Sequence, residues 1–123
     1  MKLTAIQLAA ILKAGKTMVL ADGKIESEEM LVLTQELRNF NVPEQDVQKL
    51  LELGDSMSPT AMLATLNGLD THTQKYVAGY LATIMVCDGD IDDNEMKLWQ
   101  LTCTLAGFPT MNLKEALDYW ANN

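Results

Sequence analysis

A chain of 123 residues, 48% of them hydrophobic, can bury one core without disulfides or an obligatory metal. Its formal net charge of −8, with no basic patch to offset it, would repel a nucleic-acid backbone and disfavours an anionic membrane surface, and leaves cations and basic proteins as the natural attraction. No run of about 18 apolar residues occurs, so direct membrane insertion is not expected, and the scarcity of proline and of Ser- or Gly-rich tracts argues for a single domain over residues 1–123.

The first helix is expected over residues 3–21. Lys2 followed by Leu3, Ile6, Leu8, Ile11 and Leu12 looks like the start of a signal peptide. Gln7, Lys13 and Lys16 interrupt the apolar run, however, and no small-x-small cleavage site follows. Asp22-Gly23 ends this helix, and a second is expected over 27–40, where Met30, Leu33, Leu37 and Phe40 form a helical stripe. Pro43 turns the chain into a third, over 44–53, with Val47, Leu50 and Leu51 on one side. A link, Gly54-Asp55-Ser56-Met57-Ser58-Pro59, follows. Ser58 suits an N-cap and Pro59 the first helical position, which predicts a short helix over 59–67 ending at Asn67-Gly68.

Helices are then expected over 71–87, 93–106 and 112–121. Their inward stripes are Val77, Tyr80 and Ile84; Met96, Trp99, Cys103 and Ala106; and Leu113, Ala116 and Leu117. No segment alternates convincingly, so the fold class is all-α, with about seven helices.

The chain repeats itself. Shifting it by 66 positions lays Asp22-Gly23 on Asp88-Gly89, Ile25 on Ile91, Glu26 on Asp92, Glu29 on Glu95, Met30 on Met96 and Pro43 on Pro109. The apolar stripes coincide in the same register. Repeat one covers about 11–53 and repeat two about 77–119, each reading as helix, acidic turn, helix, proline turn, helix. Two pseudo-symmetric units are expected to pack as one bundle.

The acidic turn has a structural job in every residue. Gly23 and Gly89 can take positive φ and stop the incoming helix. Glu26 and Asp92 stand at the N-cap of the next helix, Glu29 and Glu95 at the reciprocal capping-box position, and the Ile25/Met30 and Ile91/Met96 pairs at the ends of a hydrophobic staple. The same residues can be read as an ion loop. An EF-hand carries Asp at its fifth position, Gly at the sixth, a hydrophobic residue at the eighth and Glu at the twelfth. Both turns match these four places, but Met18 and Leu20, or Ile84 and Val86, fill the first and third and cannot ligate through their side chains.

An ordinary EF-hand is therefore excluded, and what survives is a surplus of carboxylates. Asp88, Asp90, Asp92, Asp93 and Glu95 put five anions in eight residues, a repulsion that a cation would relieve. The first turn offers Asp22, Glu26 and Glu29, beside Lys24. These eight are the candidate metal ligands. Hard oxygen donors point to calcium, magnesium or manganese.

Ala21-Asp-Gly-Lys-Ile-Glu-Ser-Glu-Glu29 and Cys87-Asp-Gly-Asp-Ile-Asp-Asp-Asn-Glu95 resemble the paired turns of the TerB-like family, named for a tellurite-resistance protein. A similar domain occurs at the N-terminus of a membrane-anchored J-domain cochaperone. The resemblance covers nearly the whole chain. It implies a pseudo-symmetric α-helical fold and a metal-associated or stress-response role centred on Asp22, Glu29, Asp88 and Glu95. It implies no enzymatic reaction.

The remaining chemistry is sparse. His72 is the only histidine and reads as solvated or capping. With no Ser or Cys nucleophile motif, a catalytic triad lacks parts, and no enzyme is expected. Cys87 and Cys103 lack metal or redox spacing and read as reduced core thiols, which suits a cytoplasmic protein. Tyr119, the equivalent of Leu53, is expected to pack inward, and Trp120 to cover the terminus or mark a contact surface. Two functions follow: a metal-associated TerB-like protein of stress or tellurite-type resistance, or a metal-free interaction module that offers an acidic helical surface to a basic partner.

Overall fold

The computed structural model describes residues 3–19, 40, 42–86 and 93–122. They form six α-helices: α1 (Ala5–Val19), α2 (Val47–Ser56), α3 (Pro59–Asn67), α4 (Thr71–Val86), α5 (Asp93–Leu105) and α6 (Leu113–Ala121). A 3-10 turn, Glu44–Asp46, leads into α2. No strand occurs among the described residues, and the fold class is all-α. The helix expected over 27–40 lies outside them except for Phe40, as do both Asp-Gly turns.

Helices α1 and α4 are apolar nearly all round, the pattern of a helix surrounded by others. They pack on each other, α2 and α3 lie on α1, and α6 lies on α4. Ile11, Leu12, Leu66, Tyr80, Leu81, Ile84 and Met85 are wholly buried between these layers. Phe40 joins the same core edge-on to Tyr76 and Tyr80, with ring centroids 5.2 and 5.7 Å apart.

Local chemistry sets most helix ends. Thr4 and Gln7 form a capping box on α1, with side chains and backbone N–H groups exchanging bonds of 2.9 and 3.1 Å. Ser58 accepts from the Ala61 N–H, with Pro59 at the first helical position, as its sequence requires. Asn112 and Glu115 form a second capping box on α6. Helix α5 ends in a Schellman turn: Phe108 N–H donates to the Cys103 carbonyl, Gly107 N–H to that of Thr104, and Gly107 takes φ of 72°.

Helix α2 differs from its expected span of 44–53. Residues 44–46 turn as 3-10, with Asp46 N–H donating to the Pro43 carbonyl, and the helix continues through Gly54 to Ser56. Gly54 did not break the helix because it is the point of contact. A Cβ there would lie 2.9 Å from the Ala9 carbonyl oxygen and 3.4 Å from Lys13 Cβ on α1.

A closer approach brings α6 onto α4. A Cβ on Gly79 would fall 2.4 Å from both the Ala116 carbonyl oxygen and Trp120 Cβ. The pairs Lys13/Gly54 and Gly79/Trp120 are separated by 66 residues at both members. The same offset relates Thr4, capping the Gln7 N–H, to Asp70, capping the Thr73 N–H at 2.7 Å.

Candidate functional site

Of the eight candidate ligands, Asp22, Glu26, Glu29, Asp88, Asp90 and Asp92 lie outside the described residues. The other two share the first turn of α5 but not an environment. Asp93 is exposed, whereas Glu95 is 2% exposed. Two positions along a helix is a rotation of roughly 200°, so their carboxylates leave the axis on nearly opposite sides. These two are not brought together as joint ligands of one surface ion. Both sit at the positive end of the helix dipole, which favours an anion there without any metal. Among the described residues no group of three or more His, Cys, Asp or Glu side chains is placed to hold a metal.

His72, at the start of α4, meets Tyr119 on α6. The imidazole Nδ1 and the phenol hydroxyl share a hydrogen bond, and the rings meet edge-on with centroids 5.5 Å apart. Lys75 Nζ stands 5.5 Å from the Tyr119 ring centre, a cation–π contact. Tyr119 is therefore half-buried and ties α6 to the start of α4, a role that equivalence with Leu53 did not reveal.

Next to His72, Asp70 caps α4. The Thr73 backbone N–H, aided by the Thr73 side chain, lowers its carboxyl pKa below the ordinary value. A cavity of about 420 Å³ opens beside it, with Leu3, Gln7, Leu69 and Thr73 in its wall.

Cys103 lines a second cavity of about 360 Å³, together with Trp99, Phe108 and Met111. Burial pushes its thiol up to about 12, so it stays protonated and weakly nucleophilic through the neutral range. Cys87 lies outside the described residues. Trp99 is buried as expected and its indole Nε1 donates to the Ala78 carbonyl at 3.0 Å. Trp120 packs over Gly79 through its Cβ.

One surface feature escaped the sequence reading. Leu101 and Leu105 on α5 are 54% and 57% exposed. Helix α5 carries two overlapping apolar stripes, Met96/Trp99/Cys103 and Leu98/Leu101/Leu105, and periodicity could have shown both. Only the first recurs at the 66-residue offset, where Leu101 and Leu105 fall on Gln35 and Asn39.

No helix among the described residues is long and apolar enough to cross a membrane. No family model matches the chain, and no curated protein does; the TerB-like resemblance finds no support there. A crystal structure of a protein of unknown function from Porphyromonas gingivalis, PG1108, is similar throughout. Its TM-score is 0.88 at 43% sequence identity, with 99% of this chain and 92% of that chain covered. At that identity over nearly the full length of both, the chain belongs to the same family as this Porphyromonas gingivalis protein.

Proposed function

We propose that this domain is a non-enzymatic binding module of the cytoplasm that offers an acidic helical surface to a basic protein partner. The observation that carries the reading is the charge. The chain is formally −8, and on α2, α5 and α6 the exposed Glu52, Asp55, Asp93, Glu115 and Asp118 outnumber the exposed Lys49, Lys97 and Lys114. Such a surface attracts cationic partners over a distance set by ionic strength. Affinity capture with the folded domain should recover a basic partner at low salt and release it as salt rises. A domain that recovers none at low salt would sink the reading.

The crowding of the second turn favours one further reading, a TerB-like, metal-associated role in stress or tellurite-type resistance. Five carboxylates in eight residues repel one another, and calcium, magnesium or manganese would relieve that. Titration with each ion should shift the amide resonances of 88–95 at millimolar metal, and Asp88→Ala should abolish the shift with the fold intact. An unmoved spectrum rejects this role.

Both readings rest on a seven-helix domain made of two pseudo-symmetric repeats, about 11–53 and 77–119. Its support is the recurrence, 66 residues apart, of one capping contact and one close helix approach.

A further inference from the structure

A groove between the starts of α1 and α2 breaks the internal repeat. It encloses about 340 Å³, with Ala5, Leu8, Val42, Pro43, Leu50 and Leu53 as its apolar wall and Asp46 and Lys49 as its only charged members. At the 66-residue offset Val42 and Leu53 fall on Phe108 and Tyr119, so the first half lacks two aromatic rings that the second half carries. Asp46 and Lys49 fall on Asn112 and Glu115, which close the capping box of α6 through bonds of 2.8 and 3.1 Å. Lysine has no acceptor and cannot close such a box, and Asp46 makes no side-chain cap bond at the start of α2. The ion pairs among the described residues are Lys16–Asp55 and Lys114–Asp118, so Asp46 and Lys49 pair neither with each other nor with another described residue. The first half thus holds two opposite charges that its helix start does not use, at the edge of an apolar groove.

We propose that this groove binds a free aromatic α-amino acid, with its ring on the apolar wall, its carboxylate on Lys49 and its ammonium on Asp46. The site is separate from the acidic surface described above and does not depend on it. Residues three apart at a helix start carry their Cβ atoms about 5–6 Å apart, close enough to hold the two charged groups of one small molecule. Charge complementarity selects the zwitterion. A fatty acid would set its carboxylate near Asp46, an apolar amine would set its ammonium near Lys49, and an uncharged ligand would leave both unused. The volume lies at the low end of the roughly 300–1,000 Å³ of small-molecule sites, which suits one amino acid. An aromatic side chain matches what the second half places at the equivalents of Val42 and Leu53.

The probes are L-phenylalanine, L-tyrosine and L-tryptophan, each titrated into the isotope-labelled domain. They should shift the amides of 5–8 and 46–53. L-alanine lacks the ring, and phenylpropionate and phenethylamine each lack one charge; all three should bind roughly tenfold more weakly or worse. Lys49→Gln removes an exposed, unpaired charge, so it should keep the thermal midpoint of the parent and weaken L-phenylalanine roughly tenfold. Leu53→Tyr restores the residue of the second half and should abolish binding by filling the groove. An unmoved spectrum with all three aromatic amino acids at about 10 mM would overturn the proposal. Equal binding of L-phenylalanine and phenylpropionate would overturn it too, as would undiminished binding to folded Lys49→Gln.

Discussion

Gly79→Ala is expected to destabilise the domain by about 2 kcal/mol, although alanine is the better helix former. In an isolated helix the change would gain roughly 1 kcal/mol from reduced chain entropy and better propensity. Here the added methyl has no room. It would sit 2.4 Å from the Ala116 carbonyl oxygen and 2.4 Å from Trp120 Cβ, so helix α6 must move away from α4 as a body. Overpacking of this kind typically costs about 1–3 kcal/mol, and contact with backbone places it at the upper end or beyond.

Thermal unfolding should show a fall of roughly 5–10 °C for a domain of this size. Gly54→Ala meets one backbone oxygen at 2.9 Å and a lysine Cβ at 3.4 Å, and should cost clearly less. A midpoint equal to or above that of the parent in Gly79→Ala would mean that the α4–α6 contact is not the tight point described.

Trp99→Ala should cost about 3–5 kcal/mol, the usual range for truncating a large buried aromatic. Trp99 is 3% exposed and is the largest side chain that α5 buries. Its loss removes the apolar burial, enlarges the neighbouring cavity and deletes the hydrogen bond to the Ala78 carbonyl. Trp99→Phe separates these contributions. It keeps most of the packing and loses the indole N–H, and should cost about 1 kcal/mol plus a small packing loss. The Ala78 carbonyl lies within α4 and retains a helical donor, so it is not left orphaned. Denaturant unfolding of the two variants reads both values. A truncation that costs under about 1 kcal/mol would mean that α5 is not anchored by this residue.

These substitutions mark the difference between local and non-local information. Helix boundaries in this chain follow from residues three or four apart. The Ser58-Pro59 start of α3, the Asn112/Glu115 box of α6 and the turn at Gly107 each close through short-range hydrogen bonds, so their signals are contiguous in the chain. The all-α class follows in the same way, from apolar spacing at the helical period.

The candidate site was less legible, for physical reasons that differ from residue to residue. Asp93 and Glu95 look interchangeable as carboxylates two positions apart, yet one faces solvent and the other the core, because helical rotation separates neighbours that a linear reading groups together. Leu101 and Leu105 look like core residues by type. Helix α5 has two apolar stripes, and packing alone decides that Trp99 goes in and Leu101 stays out. His72 and Tyr119 are 47 positions apart, and no spacing rule joins them.

Gly54 and Gly79 make the same point about glycine. As a sequence feature Gly54 reads as the start of the link that follows a helix over 44–53. In the folded chain both are the places where one helix lies directly on another's backbone, because a missing Cβ matters only when a second helix comes close enough to fill its space.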